Sequence, residues 1–317
     1  MLVEKDENIY SRTSIELQAS SHETMQTKHQ IQQFLTAAGV SPKKRLGQHF
    51  LIDLNLLRLL VDRANISSSD VVLEVGCGTG SLTKALACKA GKVIAVEIDT
   101  ALAEIAGRQL AEEKNVEIIN EDVLENKSTI NHDVIDSLKS AVKKCKGRVL
   151  LVANLPYNVA SPVILNLLST PVVVDSMYVT IQREVAGRML AAPGGREYGT
   201  LSIFLGAMGD VELLRVLRPA VFWPMPNVYS AMVCFNRREE KAGRIRNMNA
   251  LRDIVNLFMG HRRKFLQSCT KFARGKLINV ADWPEVFQQC SIDPTNRPER
   301  LSPQDYVALA NAICDYL

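Results

Sequence analysis

Three segments of the sequence place residues with chemical potential directly after short apolar runs. The first is the turn Gly76-Cys77-Gly78-Thr79-Gly80, the second is Glu97, and the third is the segment Asn154-Leu155-Pro156-Tyr157. Glycines let a backbone turn tightly and approach a ligand. A carboxylate accepts hydrogen bonds from hydroxyl groups, and an amide oxygen accepts them from an amine. The three segments therefore predict a small-molecule site at the ends of strands.

The glycine turn alone is compatible with several ligands. Its spacing fits nicotinamide dinucleotides, flavins and S-adenosylmethionine, and a tight turn without any ligand remains an alternative. Dinucleotide folds use G-x-G-x-x-G to bring a helix N-terminus onto a pyrophosphate. The spacing here is G-x-G-x-G, and S-adenosylmethionine has no phosphate to bind.

Two acidic residues favour S-adenosylmethionine. Glu97 lies 21 positions after Gly76, at the tip of the second predicted strand, where a carboxylate can accept both ribose hydroxyls. A phosphorylated ribose would be repelled there. The segment Asn120-Glu121-Asp122-Val123 lies at the tip of the third predicted strand, where an acid can accept a bond from an adenine amino group. Asp99 is the better candidate for a helix cap, which leaves Glu97 for the ligand.

The segment Asn154-Leu155-Pro156-Tyr157 predicts methyl transfer to an exocyclic adenine amine. The amide oxygen of Asn154 and a neighbouring carbonyl can accept both N–H groups and aim the nitrogen lone pair at a methyl group. Pro156 has no N–H and a fixed φ, which suits a rigid loop, and Tyr157 offers a ring for stacking a displaced base. Because the motif holds no His or carboxylate, positioning should supply much of the rate.

The surrounding pattern predicts an α/β fold with a parallel sheet that is covered on both faces. Apolar runs alternate with helical segments, and two later runs predict an antiparallel hairpin at residues 211–217 and 231–235. The predicted strands are Val71–Val75, Lys92–Val96, Val116–Ile119, 148–153 and 177–181.

The domain prediction divides the chain into three parts. Residues 1–39 form an N-terminal extension with a short helix at 24–38 and no assigned role. Residues 40–240 form a Rossmann-like methyltransferase domain. Residues 241–317 form a small all-α domain, with one of its helices at residues 261–272.

Composition and charge narrow the class of protein. The chain has 317 residues, of which 47% are hydrophobic and 23% are charged, which excludes a disordered tail or a disulfide-stapled miniprotein. The net charge is only +4, but residues 237–276 hold twelve basic residues and three acidic ones. Such a cluster favours binding to phosphate backbones over a merely solvated helix.

The cysteine spacing, the N-terminus and the apolar runs indicate in which cellular compartment the protein acts. The seven cysteines form no C-x-x-C pair, which favours reduced thiols and no metal site. The acidic N-terminus is unlike a signal peptide. The apolar stretch at residues 159–181 is interrupted by polar residues and prolines, so it cannot cross a bilayer as one helix. These features predict a cytoplasmic protein that does not contact a membrane.

The sequence resembles the ribosomal RNA adenine N6,N6-dimethyltransferases, which include the bacterial small-subunit enzymes of the kasugamycin-resistance type. The resemblance covers roughly residues 40–317. It rests on ten segments, at residues 46–51, 74–80, 97–99, 121–122, 154–157, 182–185, 198–202, 222–228, 261–264 and 296–302.

This resemblance implies an activity and a set of site residues. The activity is the dimethylation of two adjacent adenines in a hairpin near the 3′ end of small-subunit (16S) ribosomal RNA, within a pre-ribosomal particle, by a monomer. Asn154 to Tyr157 match the family's catalytic motif, and Phe222 matches the aromatic residue that packs against the target base. The implied cofactor contacts, together with Gly78 of the glycine turn, are His49, Leu51, Gly76, Glu97, Asp122 and Asn154.

The chain also departs from the family pattern. His49 stands where Asn is often found, and Asn227 and Tyr229 stand where Lys and Asp are more usual. Two basic groups are predicted to bind RNA phosphates, Lys43-Lys44-Arg45 beside the cofactor site and Arg262-Arg263-Lys264 in the C-terminal part.

Three other functions remain open on the sequence. They are a large-subunit adenine methyltransferase of the macrolide-resistance type, a DNA adenine methyltransferase, and a non-catalytic ribosome-assembly factor that keeps the fold. The segments that begin at His261 and Asn296 favour the small-subunit family, and Leu155 argues mildly against the DNA enzymes, which have a second proline there.

Overall fold

The computed structural model of the chain describes residues 25–316, so residues 1–24 of the predicted N-terminal extension lie outside the described residues. The chain divides into two compact units. The first unit runs to Asn158 and includes Arg218–Asn227. The second unit comprises Val159–Leu217 and the chain from Val228 onward.

The strands are numbered in chain order. They are β1 (Phe50–Leu51), β2 (Val71–Val75), β3 (Lys92–Val96), β4 (Val116–Ile119), β5 (Leu124–Asn126), β6 (Thr129–Ile130), β7 (Val149–Asn154), β8 (Ser176–Gln182), β9 (Gly209–Leu217), β10 (Phe222–Trp223) and β11 (Ser230–Arg237).

The α-helices are numbered in the same way. They are α1 (Lys28–Ala37), α2 (Leu54–Arg63), α3 (Ser81–Ala87), α4 (Thr100–Gln109), α5 (His132–Cys145), α6 (Ala160–Leu167), α7 (Arg183–Leu190), α8 (Thr200–Met208), α9 (Glu239–Ala242), α10 (Met248–Met259), α11 (Leu266–Cys269), α12 (Trp283–Gln289) and α13 (Pro303–Ala312).

The first unit is built on four parallel strands in the order β4-β3-β2-β7. All five residues of β2 are buried, as expected for a strand that is covered on both faces. Val75 pairs with Val96, and Val96 pairs with Ile119, so the carboxyl ends of β2, β3 and β4 coincide. The four strands predicted in this unit are confirmed, and the structure extends the last of them to Asn154.

Two helices of the first unit begin at well-defined caps. The Asp53 carboxylate accepts hydrogen bonds from the first turn of α2, and a capping box at Thr27 starts α1. The buried residues Ile31 and Leu35 of α1 pack against Leu102 and Ile105 of α4. The predicted helix in residues 24–38 is confirmed, and it is packed onto the first unit.

The second unit contains three antiparallel strands in the order β8-β11-β9. The predicted hairpin partners are confirmed as β9 and β11, whose register shifts between Met232 and Val233. The predicted strand at 177–181 is observed as β8, and Gln182 ends it immediately before α7.

Helices α10, α12 and α13 lie in the C-terminal segment that is predicted to be helical. The prediction of a single helix over residues 261–272 is wrong, because the structure has a turn there, the short α11 and a 3₁₀ turn at Thr270–Phe272. The amides of Leu266 and Gln267 donate to the carbonyls of Asn296 and Pro294. Those amides are therefore committed to a distant segment and cannot continue a helix from His261.

Within residues 25–316, no helix is both long and apolar enough to cross a membrane. The same described residues contain no group of three or more His, Cys, Asp or Glu side chains arranged to hold a metal ion.

An ion pair connects the beginnings of β2 and β7. The Asp70 carboxylate is 2% exposed, and it accepts bonds from Arg148 Nη2 at 2.6 Å and from the Ser67 amide at 2.9 Å. Burial raises the pKa of Asp70, but the bonds from Arg148 and Ser67 outweigh burial and hold that pKa below its ordinary value. The pair therefore stabilises the fold at pH values above the ordinary pKa of a carboxyl group. This stabilisation is lost as the pH falls through the lowered pKa of Asp70.

We expect Asp70→Asn to lower the free energy of unfolding by about 2 kcal/mol at pH 7, since it removes a buried acceptor of charged hydrogen bonds. The difference from wild type should shrink in acid, where Asp70 is itself protonated. Urea denaturation at several pH values measures both effects. Asp136→Asn, which removes an exposed partner of Lys139, is the matched control. Equal losses in the two variants would contradict the structural role of Asp70.

Candidate active site

The predicted site residues of the first unit lie at the carboxyl edge of its parallel strands. The amide of Gly76 donates to the Val96 carbonyl at 2.8 Å, and the amide of Glu97 donates to the Ile119 carbonyl at 3.0 Å. These bonds continue the parallel register one residue beyond the strands. The glycine turn and Glu97 therefore begin side by side at an edge where α/β proteins bind ligands.

The glycine turn is shaped by positions that favour the absence of a side chain. Gly76, Gly78 and Gly80 have φ angles of +79°, +59° and +85°. A Cβ atom on Gly76 would lie 2.8 Å from Cγ of Pro156, and one on Gly78 would lie 2.8 Å from Cε1 of Phe50. The turn can pack closely against the Asn154–Tyr157 loop and against β1 because these residues are glycines.

Glu97 is a buried carboxylate with two backbone donors. Its side chain is 5% exposed; Oε2 accepts from the Gly78 amide at 2.9 Å and Oε1 from the Asp99 amide at 3.0 Å. Burial raises the pKa of Glu97, and these two bonds oppose the rise. Each carboxylate oxygen has a further lone pair, so Glu97 can still accept bonds from a pair of ribose hydroxyls. This donor and acceptor arrangement fits S-adenosylmethionine.

A second carboxyl group lies close behind Glu97. Glu74 is a fully buried residue of β2, and burial raises its pKa to about 8, with the nearby charge of Glu97 acting in the same direction. Burial therefore favours the protonated form of Glu74. A neutral carboxyl group at this position avoids placing two negative charges together under the glycine turn.

Asp99 connects the start of α4 to the basic loop. It occupies the predicted N-cap position of α4, but its side chain makes no capping hydrogen bond. The carboxylate instead contacts Lys43 Nζ at 2.9 Å and Gln48 Nε2 at 3.0 Å. Burial raises the pKa of Asp99, but the bonds from Lys43 and Gln48 outweigh it and lower the pKa. The ammonium group of Lys43, which was predicted to bind RNA, is paired with a buried carboxylate.

Asn154 has a defined amide orientation. Its Nδ2 donates to the His49 carbonyl oxygen at 2.7 Å. A carbonyl only accepts hydrogen bonds, so the atom facing His49 is the nitrogen, and the amide oxygen lies on the other side of the group. The structure thus orients the amide oxygen, which the sequence predicts to accept from the substrate amine.

His49 contacts two neighbours besides Asn154. Its Nδ1 lies 2.6 Å from the Pro224 carbonyl oxygen, so Nδ1 carries the hydrogen. Its ring stacks on Tyr157 with 5.2 Å between centroids. His49 therefore links the segment before β1 both to the predicted catalytic loop and to the segment that follows β10.

Three further residues that were predicted for the site differ in burial: Leu51 and Phe222 are buried, and Asp122 is exposed. Leu51 pairs with Phe222 across the two-stranded β1-β10 ribbon, and both side chains are buried. Trp223 stacks on Phe50 and packs against the cluster around Ile31. Asp122 lies exposed just after β4, with Oδ1 accepting from the Leu124 amide at 2.9 Å.

The basic groups fall in both units. In the first unit, Lys44 and Arg45 are exposed on a 3₁₀ turn. In the second unit, Arg262 Nη2 lies 2.9 Å from Glu299 Oε2, whereas Arg263 and Lys264 are exposed. The structure thus separates one structural arginine from two solvent-facing cations within a single predicted group.

The family model described as "Ribosomal RNA adenine dimethylase" matches residues 39–313 of the sequence. The chain belongs to this family. It is 38% identical over 275 residues to the ribosomal RNA small subunit methyltransferase A of Alkaliphilus oremlandii, which covers 86% of this chain and 92% of the relative. The predicted family, methyltransferase activity and S-adenosylmethionine cofactor are therefore confirmed.

Two solved structures support the fold assignment. A dimethyladenosine transferase from Plasmodium falciparum superposes with a TM-score of 0.66 at 24% identity and covers 83% of this chain and 96% of that chain. The 23S rRNA methyltransferase ErmE superposes with a TM-score of 0.57 at 21% identity and covers 83% and 98%. At these identities the likeness shows the shared Rossmann-like methyltransferase fold alone.

We expect Glu97→Gln to weaken S-adenosylmethionine binding at least about tenfold, because it replaces a charged acceptor with a neutral amide and turns an NH₂ group toward a backbone donor. Titration calorimetry without RNA measures this change. Glu104→Gln, on the exposed face of α4, is the matched control. Unchanged affinity in Glu97→Gln would exclude Glu97 from cofactor binding.

Proposed function

We propose that this chain transfers methyl groups from S-adenosylmethionine to N6 of two adjacent adenines, in a hairpin near the 3′ end of small-subunit ribosomal RNA. The observation that carries the proposal is the oriented amide of Asn154, at the same edge as the buried Glu97 carboxylate. The product would be a dimethylated small-subunit RNA, formed during maturation of that subunit.

The chemistry follows from the orientation of Asn154. When bound, S-adenosylmethionine supplies an electrophilic methyl group on a sulfonium. The Asn154 oxygen and a neighbouring backbone carbonyl accept the two N–H bonds of the adenine amine. The nitrogen lone pair is then less delocalised into the ring and points at the methyl group. The N–C bond would form as the S–C bond breaks, the thioether S-adenosylhomocysteine would leave, and the amine would lose one proton to water in each transfer. Tyr157 provides a ring on which the extruded base stacks, and adenines in a hairpin loop are already partly unstacked.

The relatives favour the small subunit as the source of the RNA. Relatives at 34–38% identity that span most of the chain are named small-subunit methyltransferases, whereas the large-subunit enzyme ErmE is similar at the level of the fold. The intact Asn154–Tyr157 segment and the oriented amide argue against a purely non-catalytic assembly factor. An assembly role in addition to catalysis is compatible with all of these observations.

The second unit offers a solvent-facing basic surface for RNA. Some of its cations are compensated, since Arg238 and Lys241 both pair with Asp210. Other cations are exposed in a segment that also holds two exposed aromatic residues, and Lys264 Nζ lies 5.5 Å from the ring centroid of Phe272. We name these exposed residues the basic surface; they are Arg263, Lys264, Phe265, Lys271, Phe272, Arg274 and Lys276.

Cations interleaved with aromatic rings suit a nucleic-acid backbone with unpaired bases. We therefore propose that the basic surface binds the RNA and that residues 241–317 act as the RNA-binding part, alongside Lys44 and Arg45 near the cofactor site. We also propose that the chain acts as a cytoplasmic monomer on a pre-ribosomal particle.

We expect Asn154→Ala to lower the rate of methyl transfer at least about a hundredfold at saturating cofactor, because the substrate amine loses its oriented acceptor. The assay uses labelled S-adenosylmethionine and small subunits from a strain that lacks this methylation. Asn158→Ala, at an exposed position in the same loop, is the matched control. Thermal melting shows whether both variants remain folded. Transfer at the wild-type rate by folded Asn154→Ala would overturn the role of Asn154.

The same assay separates the substrate classes. Unmethylated small subunits, naked small-subunit RNA, large subunits and adenine-containing DNA are offered in parallel with wild-type protein. Label in the small-subunit arms supports the proposal. Label confined to large subunits or DNA contradicts it, and cofactor binding without transfer to any arm favours the assembly factor.

We expect the double variant Arg263→Ala, Lys264→Ala to weaken RNA binding and to reduce the slope of log affinity against log salt concentration by about 1 to 2. Filter binding at several salt concentrations measures the slope. The double variant Lys143→Ala, Lys144→Ala, which removes two exposed charges at the end of α5, is the control. Equal slopes for wild type and the Arg263, Lys264 variant would indicate that the basic surface is only solvated and does not bind RNA phosphates.

A further inference from the structure

A glutamine outside the family-matched region contacts the glycine turn. Gln26 precedes α1 and is 9% exposed. Its Nε2 donates to the Thr79 carbonyl oxygen at 2.9 Å, and its Oε1 accepts from the Thr79 hydroxyl at 2.6 Å. Its backbone amide donates to Ser81 Oγ at 2.8 Å. One residue therefore engages both the main chain and the side chain of Thr79 through a donor and an acceptor.

The glycine turn benefits from such a restraint. Thr79 lies between Gly78 and Gly80, which both have positive φ angles. Glycine residues have large conformational freedom in an unrestrained chain. Within the turn, the Gly80 amide donates to the Cys77 carbonyl at 2.9 Å. The Gly78 amide is one of the two donors to Glu97. Holding Thr79 in place therefore also holds the Gly78 amide against the Glu97 carboxylate.

Gln26 is itself held by the packing of α1. Thr27 starts that helix through its capping box with Gln30, directly after Gln26. Further along, Ile31 packs on α4, the helix that begins after Glu97 and Asp99. The segment from Gln26 through α1 thus contacts the turn that follows β2 and the helix that follows β3.

We propose that Gln26 is a positioning residue for cofactor binding, which orders the glycine turn before S-adenosylmethionine arrives. The proposal rests on use of that cofactor, which forms part of the proposed function, and it does not depend on which RNA is methylated. It assigns a role to part of the N-terminal extension, through the preorganisation of a binding loop rather than through contact with the reacting atoms.

The test is a double-mutant cycle on cofactor affinity without RNA. Gln26→Leu removes both side-chain bonds at similar volume, and Thr79→Val removes the hydroxyl that Gln26 accepts from. We expect Gln26→Leu to raise the Kd for S-adenosylmethionine about tenfold. The Kd of the double variant should be little higher than that of Gln26→Leu alone. Gln33→Leu, at an exposed position of α1, is the matched control and should leave Kd unchanged.

A second measurement separates positioning from general destabilisation. Hydrogen exchange of the cofactor-free protein should be faster at residues 76–82 in Gln26→Leu, with the strand β7 protected as in wild type. The rate of methyl transfer at saturating cofactor and small subunits should stay within about twofold of wild type, because the substitution weakens cofactor binding and not the transfer step. Gln26→Glu keeps the acceptor, loses the donor and provides an intermediate variant if Gln26→Leu does not fold.

Two outcomes would overturn the proposal. One is an unchanged Kd in a folded Gln26→Leu or Gln26→Glu variant, and the other is full additivity of Gln26→Leu and Thr79→Val. Failure of the wild-type protein to methylate small-subunit RNA would count against the proposed function alone, because the affinity cycle contains no RNA.

Discussion

The structure of the site depends on a negative charge buried at the end of β3. A carboxylate that leaves water must be hydrogen-bonded, or its burial costs several kcal/mol. Glu97 meets this requirement with the amides of Gly78 and Asp99. The turn after β2 and the start of α4 must therefore both approach the same carboxylate. That requirement shapes the edge of the sheet at which the cofactor and the catalytic loop meet.

A second buried carboxylate extends this arrangement to the catalytic loop. Asp99 is bound by Lys43 and Gln48, and Gln48 immediately precedes His49, whose carbonyl orients Asn154. Hydrogen bonds and the intervening backbone of Asp99 and of Gln48-His49 thus connect the predicted ribose-binding carboxylate to the predicted catalytic amide. Lys43 is itself exposed but compensates the charge of Asp99, and Lys44 and Arg45 are the other exposed cations of the basic loop.

The small net charge of +4 conceals an uneven distribution. In the second unit, acidic partners compensate Arg238, Lys241 and Arg262. The basic surface lies within the same sequence cluster but is exposed, and two of its members are aromatic. A count of charges along the sequence identified the cluster, whereas ion pairing within the fold separates its structural members from those available to a polyanion.

Local patterns in the sequence were sufficient to predict most of the fold. The strand runs, the hairpin partners β9 and β11, and the position of Asp99 at the start of α4 all depend on neighbours within a few residues, and the structure confirms them. The prediction failed at residues 261–272, where helical periodicity was present but the amides of Leu266 and Gln267 are taken by a distant segment.

The sequence by itself therefore determined the family, the α/β order of the elements and the residue types at the strand ends, because these are properties of short segments. Only the tertiary structure decided that Lys43 pairs with Asp99, that His49 orients Asn154, and that Gln26 engages Thr79. Each of these contacts joins residues about fifty or more positions apart, and no local periodicity carries information about such partners. They form because buried polar groups must be satisfied by whatever groups the fold brings to them.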